Sequence, residues 1–254
     1  MNLPYSLDRT ITIHARPQTV FTFFTDSGRW ASWWGTGSTI EPRAGGRMFI
    51  RHPNGIEASG EVVEVIPDER IVFTYGFESG QPIPPGSSRV TIRLEPAGLD
   101  TRLQLVHEFS EAGARDEHVQ GWRYQLSVFG NVVADLVYGG AAALTDAWFD
   151  AWAETDAAAR EQALRKIASI DVTFRDRFSL LEGIADLVPH IGATQRFMPG
   201  MRLARDGDVR HCQGTVLAAW TATGPDGKER GRGTNVFSLR PDGLIESVVG
   251  FWKN

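Results

Sequence analysis

The 254 residues carry 31 acidic against 26 basic side chains, a net charge of −5, with 42% hydrophobic and 22% charged content; this is ordinary for a soluble globular chain of one or two domains. No run of Lys/Arg accompanies the acidic balance, which disfavours nucleic acid or an anionic membrane as a partner. The single cysteine, Cys212, excludes an internal disulfide and fits a reducing compartment; with no signal-peptide pattern and no apolar stretch approaching about 18 residues, a cytoplasmic protein is expected.

Taken in order, Thr10–Ala15 alternates with Ile11 and Ile13 on one face and predicts a strand. Pro17 suits the first turn of a helix, where its missing N–H costs nothing, and Val20, Phe21 and Phe24 continue at helical spacing. Asp26-Ser27-Gly28 interrupts, and Arg29–Trp34 predicts a second short helix carrying Trp30, Trp33 and Trp34. Strands are then expected at 38–42, 46–52, 57–66, 70–77, 88–95 and 101–109, separated by turn sequences such as Pro53-Asn54-Gly55, whose Asn-Gly pair is a strong hairpin signal. Arg115–Val137 predicts one long helix, with Val119, Trp122, Leu126, Phe129, Val133 and Leu136 on a single face. Gly121 inside it is either a close backbone approach or a tolerated glycine that costs about 1 kcal/mol relative to alanine. Strand, two helices, a run of strands and a long helix together predict a curved antiparallel sheet gripping that helix.

The ordered set Ala15-Arg16-Pro17 with Val20-Phe21, Phe24-Thr25-Asp26, Trp33-Trp34-Gly35, Pro42 through Met48, Gly60, Glu64 through Pro67, Arg70 through Thr74, and Gly121-Trp122 resembles the SRPBCC (START-like) superfamily. Within it, the nearest group is related to the C-terminal domain of the heat-shock-protein-ninety ATPase activator. The resemblance covers most of residues 8–137. It implies a helix-grip fold with a deep apolar cavity, in a superfamily whose members bind lipids and polyketides, act as cyclases or assist a chaperone.

The second half predicts a helix at Ala141–Glu154, with Leu144, Trp148 and Trp152 on one face. A further helix follows at Ala157–Ala168, capped by Thr155-Asp156, then a strand at Ile170–Asp176. A helix at Leu181–Gly192 has Pro189 expected to kink or end it. Long strands are expected near 196–205, 208–223, 228–240 and 243–252. Phe174-Arg175-Asp176, Glu182-Gly183, His190-Ile191, Trp220, Asp226-Gly227, Gly233-Thr234-Asn235 and the ending Asp242-Gly243 through Phe251 resemble the SnoaL-like group of the nuclear-transport-factor-two-like cones. That resemblance implies a bent sheet and helices around a conical pocket, with some members acting as isomerases, cyclases or dehydratases, and many pairing through the outer face of the sheet. The expected architecture is therefore α+β, with a helix-grip domain over 1–138 and a cone over 139–254.

The residues expected to line the first cavity are Trp33, Trp34, Phe49, Tyr75, Trp122 and Phe129; those expected in the second are Trp148, Trp152, Trp220 and Asn235. Trp33 and Trp34 have core packing as their alternative. Arg43 and Arg47 flank a glycine turn and either meet an anion or pair with surface carboxylates. His52, His107 and His118 show no metal-ligand spacing and are expected to be solvated or satisfied. Asp176 is the one catalytic candidate. The cone resemblance implies a proton-shuttling carboxylate there, and burial in an apolar pocket would raise its pKa; the alternative is that it pairs with Arg175, Arg177 or a helix end. Such chemistry also needs a second acid or an oxyanion donor, which the sequence does not place. The leading expectation is a binder of a small hydrophobic molecule, with no metal or cofactor and a homodimer through the cone. The alternatives are a cofactor-independent isomerase, cyclase or hydratase acting in the cone and, more weakly, a regulator of a chaperone ATPase.

Overall fold

The computed structural model describes residues 1–253. The chain divides into two compact units, Met1–Val133 and Ala134–Asn254. The division falls slightly before the expected 138/139, because Ala134 and Tyr138 pack in the core of the second unit.

In the first unit β1 (Tyr5–Ile13) leads into α1 (Pro17–Phe21), a 3-10 turn (Thr22–Phe24) and α2 (Ser27–Trp34). Six strands follow: β2 (Thr39–Ile40), β3 (Arg47–Arg51), β4 (Glu57–Ile66), β5 (Arg70–Tyr75), β6 (Ser88–Ala97) and β7 (Asp100–Phe109). The long α3 (Ala112–Val137) closes the series and runs into the second unit. Asp26 ends the extended segment before α2 and accepts the Arg29 N–H at 2.8 Å, satisfying a donor that the first turn leaves open. The strands form one antiparallel sheet in the order β1-β7-β6-β5-β4-β3-β2. Gly60 lets β4 pass the Thr74 carbonyl at a spacing that a side chain would block. On α3 the inward residues include His118, Trp122, Gln125, Leu126, Phe129 and Val133, all buried. Leu136, expected on this face, is 47% exposed. Gly121 has no atom within 4 Å of where a Cβ would stand, so it marks open space and not a close backbone approach.

The second unit contains α4 (Ala141–Ala153), α5 (Ala157–Ile167), β8 (Ala168–Arg175), β9 (Leu180–Glu182) and α6 (Gly183–Phe197). It continues with β10 (Arg202–Arg205), β11 (Arg210–Cys212), β12 (Thr215–Thr223), β13 (Glu229–Leu239) and β14 (Ile245–Trp252). Its sheet runs β10-β12-β13-β14-β8-β9, with β11 beside β12 and a parallel pairing between β14 and β8. Asp156 caps α5 by accepting the Ala159 N–H at 2.7 Å. Two expectations are corrected. Leu181 belongs to a short strand, and α6 begins at Gly183 and runs through Pro189 to Phe197; Pro189 lies on the exposed side, where solvent can take the carbonyl that it leaves unpaired. The long strand expected from 208 is split by a turn in which Gln213 and Gly214 both have positive φ. The inner face of the bent sheet buries Val216, Ala218, Trp220, Phe237 and Leu239 with Trp148 and Phe149 of α4. The molecule is thus α+β, with an antiparallel sheet and a long helix in the first unit and a bent sheet with helices in the second.

Candidate functional sites

Each unit holds a partly open apolar cavity. The first, of about 490 Å³, is walled by Trp34 at the end of α2, Tyr75 at the end of β5, Phe77, and His118, Trp122 and Gln125 on α3. Of the six residues expected here, Trp34, Tyr75 and Trp122 reach the cavity. Trp33 and Phe129 do not: their rings pack 4.9 Å apart, centroid to centroid, in a fully buried cluster with Phe23 and Phe24. Phe49 is also excluded. It alternates with the buried Met48 and Ile50 of β3, and so turns to the other side of the strand, beneath the guanidinium groups of Arg47 and Arg51. Arg43 pairs with Glu41 at 2.8 Å on the surface.

Of the scattered histidines, His52 and His118 line this wall, and His107 lies behind it. His107 lies on the apolar face of β7 and is fully buried. It accepts the Trp122 indole N–H at Nδ1, 2.9 Å away, and contacts Ser88 Oγ through Nε2 at 2.8 Å. An indole nitrogen can only donate, so the His107 proton sits on Nε2 and is given to Ser88, whose hydroxyl donates to the Tyr75 carbonyl at 2.8 Å. Burial, reinforced by neighbouring His118, holds the His107 pKa well below the usual histidine value. Burial also lowers His118 and His52. The rings of His107 and His118 are 5.1 Å apart. The alternation of β7 was the available signal: His107 follows Leu103 and Leu105 on the inward face.

The second cavity, of about 430 Å³, includes all five residues expected in the cone: Trp148, Trp152, Asp176, Trp220 and Asn235. Asp176 stands just past β8 and is half-buried. Its Oδ1 accepts the Phe178 N–H at 2.8 Å and its Oδ2 accepts the Trp252 indole N–H at 3.0 Å. No arginine lies within ion-pair distance of it among the described residues; Arg177 instead covers the Phe178 ring. Asp176 and Asn235 flank Gly250, where a Cβ would stand 3.2 Å from both the Asn235 Oδ1 and the Asp176 Cβ. Asn235 Oδ1 accepts the Trp220 indole N–H at 2.9 Å, so its amide NH2 remains as a donor. His190 of α6 lines the same cavity and meets Ser179 Oγ at 3.2 Å. The sequence gave His190 no role, although it follows Leu187 by three residues and shares that helix face.

Chemically, the first cavity offers phenol, amide and imidazole groups on aromatic walls, with the Glu117 carboxylate at its edge. The second holds a carboxylate, an imidazole and an amide donor around an apolar space. Among the described residues, no cluster of three His, Cys, Asp or Glu side chains is placed to hold a metal ion. His211 turns its Nε2 to the Gly214 N–H at 3.0 Å, and Cys212 beside it is exposed. Among the described residues, no single helix is long and apolar enough to cross a membrane.

Residues 14–134 match the family model described as Activator of Hsp90 ATPase homolog 1-like protein. Among solved structures, an AHSA1-like protein from Rhizobium etli is 30% identical, over 51% of this chain and 82% of that one, with a TM-score of 0.43. A protein of the SnoaL-like family from Agrobacterium tumefaciens is 26% identical, over 44% of this chain and 96% of that one, also at 0.43. No curated protein matches the chain.

Proposed function

We propose that this chain, which joins an AHSA1-like domain of the SRPBCC type to a SnoaL-like cone, is a cytoplasmic binding protein for small hydrophobic molecules, with one cavity in each domain. The observation that carries this reading is a pair of partly open spaces of about 490 and 430 Å³, each walled mainly by rings and offering few polar groups. Spaces of this size and lining suit small apolar ligands. The acidic balance and the single, unpaired cysteine support an intracellular compartment. Native mass spectrometry of the full chain purified from its own host is expected to reveal a retained small organic molecule that denaturation releases. A chain that carries none, and whose tryptophan emission no apolar probe changes, overturns the proposal.

A second reading, proton-transfer chemistry in the cone, is favoured by one observation: His190 lines the cavity that holds Asp176. Asp176 would take a proton from a carbon or hydroxyl of the substrate, and the Asn235 amide would polarise the oxygen on which charge develops. The chaperone-regulator alternative gains no residue-level support from either cavity.

The same proposal includes a homodimer through the outer face of the cone's sheet. Leu217, Val236 and Val249 are direct cross-strand neighbours there and remain half-exposed, and Phe251 beyond them is 57% exposed. An apolar strip of this kind suits a two-fold partner.

A further inference from the structure

We propose that the cavity of the first unit is selective for an uncharged, flat apolar molecule bearing a hydroxyl or N–H donor together with an acceptor oxygen. This rests on the binding function proposed above and adds the chemistry of the occupant.

Two polar side chains carry it. Gln125 is 7% exposed, and its Nε2 donates to the Trp33 carbonyl at the end of α2. A carbonyl can only accept, so the amide cannot be flipped, and Oε1 is the group left over. Among the described residues it has no protein partner, yet it is not sealed from the cavity that Gln125 lines. Tyr75 is 4% exposed and lines the same cavity, and its hydroxyl likewise has no protein partner among the described residues. Burial pushes the pKa of that phenol upward, so it remains an O–H donor. The Trp34 indole N–H and His118 Nε2 of the same wall also lack a protein partner but are sealed off, so Gln125 Oε1 and the Tyr75 hydroxyl are an acceptor and a donor that an occupant can reach. A buried polar group left unmatched costs about 1–3 kcal/mol, so a ligand that matches both is preferred over a hydrocarbon of the same shape.

The same wall disfavours anions. Its two histidines, His52 and His118, are both shifted by burial toward the neutral form. No arginine or lysine lines the cavity, and the one carboxylate, Glu117, is exposed at its edge. A ligand carboxylate would lose its hydration without gaining a cation. The rings of Trp34 and Trp122, 5.6 Å apart and nearly perpendicular, and those of Tyr75 and Phe77, 5.4 Å apart, offer faces and edges suited to an aromatic occupant.

The test titrates the full chain with naphthalene, naphthol and naphthoate at pH 7, read by tryptophan emission and checked by calorimetry. Naphthol is expected to bind about tenfold more tightly than naphthalene, and at least about tenfold more tightly than naphthoate. Tyr75→Phe removes a hydroxyl that holds no protein bond. It should therefore fold normally and cut the preference for naphthol over naphthalene by about threefold or more. Gln125→Leu is the second variant and should reduce the same ratio. Naphthalene binding as tightly as naphthol, naphthoate binding more tightly than naphthol, or a naphthol preference that survives in both variants each overturns the proposal while leaving hydrophobic binding standing. Failure of all three probes to bind overturns the binding function of this cavity and the proposal together.

Discussion

The cavity of the first unit and that of the second are similar in volume and in aromatic lining, and they differ in what their polar groups are tied to. Behind the wall of the first, His107 is consumed by a chain from the Trp122 indole to Ser88 and the Tyr75 carbonyl, which fixes its tautomer, while burial and then neighbouring His118 hold it toward the neutral form. In the second, the carboxylate of Asp176 is held by an indole and a backbone N–H, with no cation in ion-pair contact, and the imidazole of His190 shares its cavity. The contrast teaches that apolar volume is common to both, whereas the means to move a proton depends on whether titratable groups remain available to an occupant. The first cavity presents its accessible hydrogen-bonding groups among neutral rings, and the second brings the Asp176 carboxylate and the His190 imidazole to one apolar space.

The largest expected effect probes the first wall. Trp122→Ala deletes a ring that is 4% exposed and leaves His107 Nδ1 without its donor. It should destabilise the first unit by about 3–5 kcal/mol. A loss below about 1 kcal/mol in denaturant unfolding would show that the indole contributes only to the cavity surface.

Acidification should separate the two units. The folded-state pKa of His107 is depressed, so its contribution is intact above the unfolded value of about 6.5 and is lost as pH falls below it toward the folded pKa. Each proton that unfolding takes up costs at most about 1.4 kcal/mol per pH unit. Hydrogen exchange at pH 7 and pH 5 is expected to show protection falling in β6 and β7 more than in β12 and β13. Equal losses would assign the acid sensitivity elsewhere.

Asp176→Asn tests the second cavity. Both carboxylate oxygens accept hydrogen bonds, and an amide can replace only one of those acceptors. The substitution should cost about 1–2 kcal/mol at pH 7 and, if the cone is catalytic, abolish turnover of any substrate identified. Thermal unfolding that leaves the variant more stable than the parent would show that the carboxylate is held at a net cost.

The smallest energetic effect concerns the outer face of the cone. Val236→Lys should change the stability of the isolated fold by no more than about 0.5 kcal/mol, while light scattering reports a monomer where the parent protein is a dimer. A parent that is already monomeric at micromolar concentration removes the proposed interface.

Much of the architecture was legible because local rules agree with one another. Alternation along β4 and β7, the three-and-four spacing of α3, and turns such as Pro241-Asp242-Gly243 mark elements within a few residues of where they stand. Where the local signals were ambiguous, packing decided. Pro189 reads as a helix breaker, yet α6 continues through it, because its ring lies on the side away from the core. The site residues divided in the same way. Trp148, Trp152, Trp220, Asn235 and Asp176 share one cavity as expected. Phe49 missed its cavity through the parity of one short strand, and Trp33 and Phe129 through packing with Phe23 and Phe24. Composition and periodicity state that a side chain is inward, but an inward ring can fill a core or border a space, and only the three-dimensional fit distinguishes them. The same holds for His107 and His118, which are 11 residues apart in sequence and 5.1 Å apart, ring to ring, across β7 and α3. The sequence by itself pointed to most of the elements in their order and to the apolar character of both interiors. The tertiary structure decided which polar groups are used up inside the protein and which remain for a ligand, because a hydrogen-bond partner is set by distance and direction and not by spacing along the chain.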